Sequence, residues 1–412
     1  MERREFLNAL VRSGVNVAEG EPGRQELVVV CERDPVAFRA AFAQAVAQGG
    51  RVALANPDWG TQERAEFDRL LALRDHAGAL ADAETGWLLI PTGGSSGGVK
   101  LARHDQHTLA AAVQGYASFF EERVVNGVGV LPLHHVGGLM GWLRCVLTGG
   151  DYVDGSWRAW SEGRFVERVP EAATVSLVPT QLRRMLGQAE GVAWLRQFKR
   201  ILIGGAATEA DLVSAAQDAG LPIVLSFGMT ETGALAAAVP EFAGGELEKG
   251  YAVLPHLKMD VVGEGRLRIS GASLFRGYWP DWRDDDAWEN GDRARRSVDG
   301  RVQLLGRVDD LIISGGEKVD GHEVETVLRE LAGDPRIVVI GLPDAEWGHR
   351  VVACVGSEEL VTRLEEVAGA VRERLASFKR PKLVVPVVPW PVNAMGKINR
   401  AALTAAAAAW KR

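Results

Sequence analysis

Along the first three quarters of the chain, apolar runs of strand length alternate with stretches whose apolar residues recur at helical spacing. "AFRAAFAQAVAQGG" reads as a helix closed by glycines, and "RVALANP" after it as a strand. "HTLAAAVQGYASFF" is helical and "GVGVLPL" a strand. "ATVSLVP", "TQLRRMLGQ", "FKRILIGG", "ATEADLVSAAQDAG" and "LPIVLSFG" then give β-α-β-α-β without interruption. Such alternation predicts an α/β fold of parallel sheets covered by helices, with a ligand at the carboxyl ends of the strands. Gly204, Gly205 and Ala206 fall at one such end, and "FGMTETG", Phe227 to Gly233, at another.

From about Gly250 the pattern changes. "KMDVVGEGRLRISG" reads as a hairpin turning at Gly263 to Gly265, and "RVQLLGRV" as a further strand, which together make a small β subdomain. After Asp309 and Asp310 come "EVETVLRELAG", "RIVVIGLP", "RVVACVG", "LEEVAGAVRERLA" and "KLVVPVVPWP", a second, α+β unit of roughly 100 residues. The boundary is placed at Val308/Asp309, giving domains 1–308 and 309–412. There is no internal repeat.

Composition narrows the class. At 412 residues the chain exceeds what one core usually supports, and 47% hydrophobic with 25% charged residues is ordinary for a globular protein. A net charge of −7 argues against a general nucleic-acid binder. Cys31, Cys145 and Cys354 are scattered, with neither metal-ligand nor disulfide spacing, which suits a reducing, cytoplasmic setting. The amino terminus lacks the apolar stretch of a signal peptide, and no segment has the length of a membrane span.

The first chemical signal is "IPTGGSSGGVK". Thr92, Gly93, Gly94, Ser95, Ser96 and Gly97 offer hydroxyls and backbone N–H groups with little bulk, after an apolar strand and before Lys100. Such a loop can cradle a polyphosphate, whereas a plain Gly/Ser linker would need neither the strand nor the lysine. It is not the Walker loop: Gly93 and Gly98 have that spacing, but Val99 stands where the lysine belongs, Lys100 comes one residue late, and Leu101 follows it in place of a hydroxyl.

Four further stretches follow: "SFGMTETGA", "ENGDRARR" with Asp292 in an expected turn, "LGRVDDLIISGGEK" and "PVNAMGKINR". In order and spacing, the five resemble the acyl-adenylate-forming superfamily of acyl- and aryl-CoA ligases, adenylation domains and luciferases. The resemblance runs from about Trp87 to Arg400. Within it, "LPLHHVGGL" and "VPTQLRRML" resemble the ligases that activate o-succinylbenzoate for menaquinone or phylloquinone synthesis.

That resemblance implies a two-step reaction: a carboxylate attacks the α-phosphate of ATP, and coenzyme A then displaces AMP. It implies a large amino-terminal domain and a small swinging carboxyl-terminal one. The 92–100 loop would close on the β- and γ-phosphates. Gly204, Gly205 and Ala206 would lie against adenine, with Gly228 and Met229 lining the same site. Thr230 would bond the α-phosphate and Glu231 would hold Mg²⁺. Asp292 would accept the ribose hydroxyls, assisted by Arg307, and Lys397 would reach the reacting carboxylate. Asp309 would be the hinge, and Gly315 and Gly316 would meet coenzyme A.

His135 would sit by the acyl pocket, with packing or helix capping as its alternative. Arg144, within the apolar "WLRCVL", would meet a second substrate carboxylate, or else snorkel to solvent. Val99, Asn290, Lys318 and His322 depart from the common pattern. The partners implied are small molecules, with no nucleic acid or membrane, and a homodimer is compatible. The rival readings are another acyl- or aryl-CoA ligase, an adenylation enzyme loading a carrier protein, and a non-catalytic nucleotide-binding relative. Lys100, Glu231, Asp292 and Lys397, all present, argue against the last.

Overall fold

A computed structural model describes residues 1–17, 27–76, 85–93, 99–206, 208, 210–239, 250–307, 311–314, 317–344, 347–392 and 398–410. The larger part of the chain is built on three sheets. The first runs β1 (Leu27–Val30), β2 (Arg51–Leu54), β3 (Leu88–Gly93) and β4 (Val99–His104). The second has the order β11-β10-β9-β8-β7-β5-β6, from β5 (Gly127–Gly129), β6 (Tyr152–Asp154), β7 (Thr174–Leu177), β8 (Arg200–Ile203), β9 (Ile223–Met229), β10 (Ala234–Val239) and β11 (Ala252–Val253). The third is an antiparallel meander of β12 (Leu257–Val262), β13 (Arg266–Gly271), β14 (Ala287–Arg296) and β15 (Val302–Arg307).

The first two sheets are parallel over most of their strands, as expected, with antiparallel pairs at one edge of each. β3 and β4 are antiparallel because the glycine-rich loop joins them as a hairpin, in the register Thr92↔Lys100. β9 turns back into β10 through Gly233, whose φ is 67°. The crossover strands β5 to β9 are parallel, as the β-α-β alternation required.

Two helices lie between the first and second sheets. In Gln106–Phe119, Leu109, Ala112 and Val113 face the first sheet's core and Tyr116 the second's. In Val136–Thr148, Leu139, Trp142 and Leu143 face one side and Cys145 the other. The local signals are plain. Asp105 caps the first helix by accepting the N–H groups of His107 and Thr108, and Gly149 ends the second in the left-handed region. Val136–Thr148 exposes none of its residues, so a charged side chain on it is buried at a cost.

The carboxyl-terminal unit is a five-stranded sheet: β16 (Leu311–Ser314), β17 (Glu317–Asp320), β18 (Ile337–Asp344), β19 (Gly348–Val355) and β20 (Leu383–Pro386). Alternation along β18 sends Ile337 and Val339 toward the helices Gly321–Ala332 and Glu358–Glu366, and Val338 and Ile340 toward Arg400–Ala409. Buried Glu325 ties these layers, accepting from the Val339 N–H at 2.9 Å, Arg400 Nη2 at 2.8 Å and Arg329 Nη2 at 3.1 Å. The expected boundary and hinge, Val308 and Asp309, lie outside the described residues, as do Gly315 and Gly316.

Candidate active site

The carboxyl ends of β8 and β9, the β3–β4 hairpin and the β14–β15 pair converge on one region. Gly204 and Gly205 follow β8, with Ala206 beside them in a bend. Gly228 and Met229 end β9, and Thr230 and Glu231 begin a single 3-10 turn. Gly228 needs its lack of a side chain, because a Cβ there would overlap the Ala234 carbonyl across the tight β9–β10 return. Gly94, Ser95, Ser96, Gly97 and Lys397 lie outside the described residues.

Thr230 and Glu231 are both buried and held from behind. The Thr230 carbonyl accepts from His104 Nε2 at 2.8 Å, and Nδ1 of the same ring is 3.0 Å from Thr108 Oγ1. A carbonyl only accepts, so the His104 proton sits on Nε2. The Glu231 carbonyl accepts from the Phe275 N–H at 2.8 Å, and its Oε1 accepts from Tyr278 OH at 2.6 Å. Lys100 Nζ stands 5.3 Å from the centre of the Tyr278 ring.

Asp292 lies within strand β14 and not in a turn. It sits beside a register shift between Arg293 and Ala294, opposite Arg307. Asn290 braces it: Asn290 Nδ2 donates to Asp292 Oδ2 at 2.7 Å, and Asn290 Oδ1 accepts the Asp292 N–H at 3.0 Å. Arg307 Nη1 donates to Asp292 Oδ1 at 3.4 Å, and Asn290 Nδ2 also reaches Met229 Sδ at 3.7 Å. The expected ribose pair and the end of β9 are therefore neighbours.

On the other side, His135 occupies the N-cap position of Val136–Thr148 but makes no side-chain cap bond. Its ring stands 4.4 Å from that of His134. Burial lowers both; for His134, with His135 beside it, the fall is to about 3. Nine residues further along, Arg144 lines a narrow slot with Gly129, Leu131, Gly137, Gly141 and Ser176. It is 5% exposed, its Cζ lies 4.5 Å from the Tyr116 ring centre, and its Nε has no hydrogen-bond partner. Among the described residues it makes no ion pair: nearby Glu122 is taken by Lys199 at 2.6 Å and Arg200 at 3.0 Å. Both ring nitrogens of His256 are also buried without partners, and burial together with the Arg144 charge pushes that histidine down to about 4. Arg144 does not snorkel. It is a buried cation packed on the Tyr116 ring.

His104, Tyr278 and His256 are absent from the sequence-based expectation. His104 follows Arg103 on an apolar strand and contacts Thr230 only through a chain separation of 126 residues. Burial lowers His104 from its ordinary 6.5 to about 4, with the Thr230 bond opposing the fall. The unfolded chain then binds a proton below pH 6.5 that the folded chain refuses until about pH 4, so stability falls as pH drops through that window. Denaturant unfolding at pH 7 and pH 4.5 should show wild type losing roughly 2–3 kcal/mol more than His104→Gln. Equal losses would mean His104 titrates freely.

The carboxyl ends of β8 and β9, the buried Glu231 carboxylate and the slot around Arg144 all lie in the larger part of the chain. The chain belongs to the AMP-binding enzyme family: that family's sequence model matches residues 10–279, and its carboxyl-terminal-domain model matches residues 323–397. Among curated relatives, a 2-succinylbenzoate–CoA ligase of Enterococcus faecalis is 29% identical over 66% of this chain and 59% of its own length. One from Staphylococcus aureus is 31% identical over 71% of this chain and 61% of its own length. The chain thus spans about three fifths of those relatives. Among solved structures, o-succinylbenzoate CoA synthetase of Bacillus subtilis with its acyl-adenylate intermediate superposes with a TM-score of 0.77, at 20% identity over 97% of this chain and 91% of that one. The same enzyme with ATP and magnesium ion gives 0.73. The two-domain fold is shared.

Proposed function

We propose that the chain is an AMP-forming acid–CoA ligase that activates o-succinylbenzoate with ATP and transfers it to coenzyme A. The observation that carries the substrate is Arg144, a buried guanidinium without an ion pair among the described residues, on a slot in which it is the one ionised side chain among apolar and neutral polar residues. An aryl dicarboxylate supplies both the apolar body and the missing anion. The curated relatives named 2-succinylbenzoate–CoA ligase support the same choice.

In the first step a substrate carboxylate oxygen attacks the α-phosphorus, and the bond to pyrophosphate breaks. An anion must approach a polyanion, so the site must supply donors and cations where charge develops. Lys100 and the Thr92 hydroxyl flank the hairpin loop that would meet the β- and γ-phosphates. Thr230, fixed through its carbonyl by His104, would donate to the α-phosphate. Asp292 and Arg307 would hold the ribose, because a carboxylate braced by Asn290 still has lone pairs for hydroxyls.

Magnesium, when bound, supplies charge neutralisation between the phosphates. A single carboxylate plus phosphate oxygens suits it, and the described residues contain no group of three or more metal ligands. Glu231 fits, being buried beside the nucleotide cleft with no cation paired to it among the described residues.

In the second step the coenzyme A sulfur attacks the acyl carbon, its proton is lost, and AMP leaves. His135, held neutral by burial, can shape that approach without adding charge. Rotation of the small domain at Asp309, with Gly315 and Gly316 meeting coenzyme A, belongs to this reading, as do the domain boundary there and a cytoplasmic setting.

Pyrophosphate release with ATP and a panel of acids is the test. o-Succinylbenzoate should be turned over fastest, with release of AMP and formation of its CoA thioester. Preference for a monocarboxylate would refute the substrate, and no release with any acid would refute the enzyme class.

A further inference from the structure

We propose that Tyr278 is a positioning residue that sets the Glu231 carboxylate for magnesium and ties it to Lys100 at the mouth of the phosphate loop; this rests on the ATP and magnesium reading above. Residues 276–279 run along β4 as an extra strand. Arg276 N–H donates to the Arg103 carbonyl at 2.9 Å, Arg103 N–H to Gly277 at 2.9 Å, and Trp279 N–H to Leu101 at 2.8 Å. Tyr278 is thereby paired with Ala102. Side chains alternate along a strand, so Tyr278, opposite Ala102, shares a face with Lys100 two residues away. Backbone pairing alone therefore brings the ring to the lysine, and the 5.3 Å separation follows.

The hydroxyl end of the ring completes the link. Tyr278 OH donates to Glu231 Oε1 at 2.6 Å, leaving Oε2 with no donor among the described residues. One oxygen is thus fixed and the other left for the metal. The ring itself has little freedom. Phe275 packs edge-on against it at 4.8 Å between centres, Trp288 packs edge-on against Phe275 at 5.2 Å, and the Phe275 N–H holds the Glu231 carbonyl at 2.8 Å. Both ends of the contact, carboxylate and phenol, are therefore pinned by the same short segment. A partner that only filled space would need no hydroxyl aimed at a buried carboxylate, and Phe would serve as well. Orientation of a metal-binding carboxylate by a second hydrogen-bonding group is where such partners act, and losing one costs about 10–100-fold in metal affinity.

Calorimetric ATP binding to the full chain, with Mg²⁺ and separately with EDTA, tests this. Tyr278→Phe keeps the ring beneath Lys100 and removes only the hydroxyl. It should bind ATP in EDTA within about twofold of wild type, while the gain in affinity on adding Mg²⁺ shrinks about tenfold or more. Half-saturating Mg²⁺ for pyrophosphate exchange should rise by a similar factor. Tyr278→Leu should weaken binding in EDTA as well, by removing the ring from Lys100. In a Glu231→Gln background, Tyr278→Phe should change nothing further. A Tyr278→Phe protein with the wild-type Mg²⁺ gain, or with equal weakening in EDTA and Mg²⁺, overturns the assignment. Wild type showing no gain from Mg²⁺ would instead overturn the ATP and magnesium reading itself.

Discussion

Lys397→Ala is expected to abolish adenylate formation, by at least about a hundredfold in kcat, while thiolation of a supplied acyl-adenylate continues. Lys397 lies outside the described residues, but both ends of its loop are anchored. Val392 bridges Ile398 across the base, and the Asn399 N–H donates to the Pro391 carbonyl at 2.9 Å. Arg400, next in the chain, is held by Glu325 at 2.8 Å in the core of the small unit. The family's carboxyl-terminal match also reaches residue 397. Only the first half-reaction builds charge on an attacking carboxylate and a pentavalent phosphorus, so only that half should need the ammonium. Pyrophosphate exchange read beside AMP release from synthetic acyl-adenylate separates the two. Equal loss of both would mean that the small unit no longer docks or folds.

Glu325→Gln supplies the contrast, because it strikes the anchor and not the lysine. Removing the charge leaves Arg329 and Arg400 without their buried counter-ion. That should lower the unfolding midpoint of the small unit and weaken both half-reactions together, since breaking a buried pair from one side costs about 3–5 kcal/mol. Thermal unfolding distinguishes it from Lys397→Ala, which should melt as wild type does.

What the sequence displays and what it hides divide along physical lines. Helices and crossover strands are legible because their apolar periodicity and caps are local: Asp105 before Gln106–Phe119, Gly149 after Val136–Thr148. The place of "MTETG" at a strand end is legible for the same reason. Asp292 is misread as a turn residue because "ENGD" has turn chemistry. In the fold, Gly291 instead makes room for Arg307, since a Cβ there would overlap its guanidinium, and the strand continues through a register shift. Asn290 reads as a departure from pattern and proves to be the brace of Asp292. Tyr278 and His104 are invisible in sequence because their partners lie 47 and 126 residues away, joined only when the 276–279 segment pairs with β4 and β9 ends against it.

On the proposed reading, in which Arg144 meets the second substrate carboxylate, its loss should separate two acids sharply. Alanine at this position should cost roughly 2–5 kcal/mol in transition-state binding of o-succinylbenzoate, the range for stripping one partner from a buried charge pair. A benzoate without the second carboxylate should lose far less. The free protein should respond in the opposite sense. Arg144 is buried, which lowers its pKa, and the Arg200 charge lowers it further, so the charge works against the fold of the free protein. Substitution by methionine, which fills the slot without charge, should therefore leave the unfolding midpoint unchanged or raise it. Adding o-succinylbenzoate should then stabilise wild type but not the variant, because only ligand bound to the native state shifts that equilibrium. Competition between the two acids in one pyrophosphate-release assay reads the discrimination directly. Equal weakening toward both acids, with a lowered midpoint, would make Arg144 a packing residue and leave the slot without its anion site.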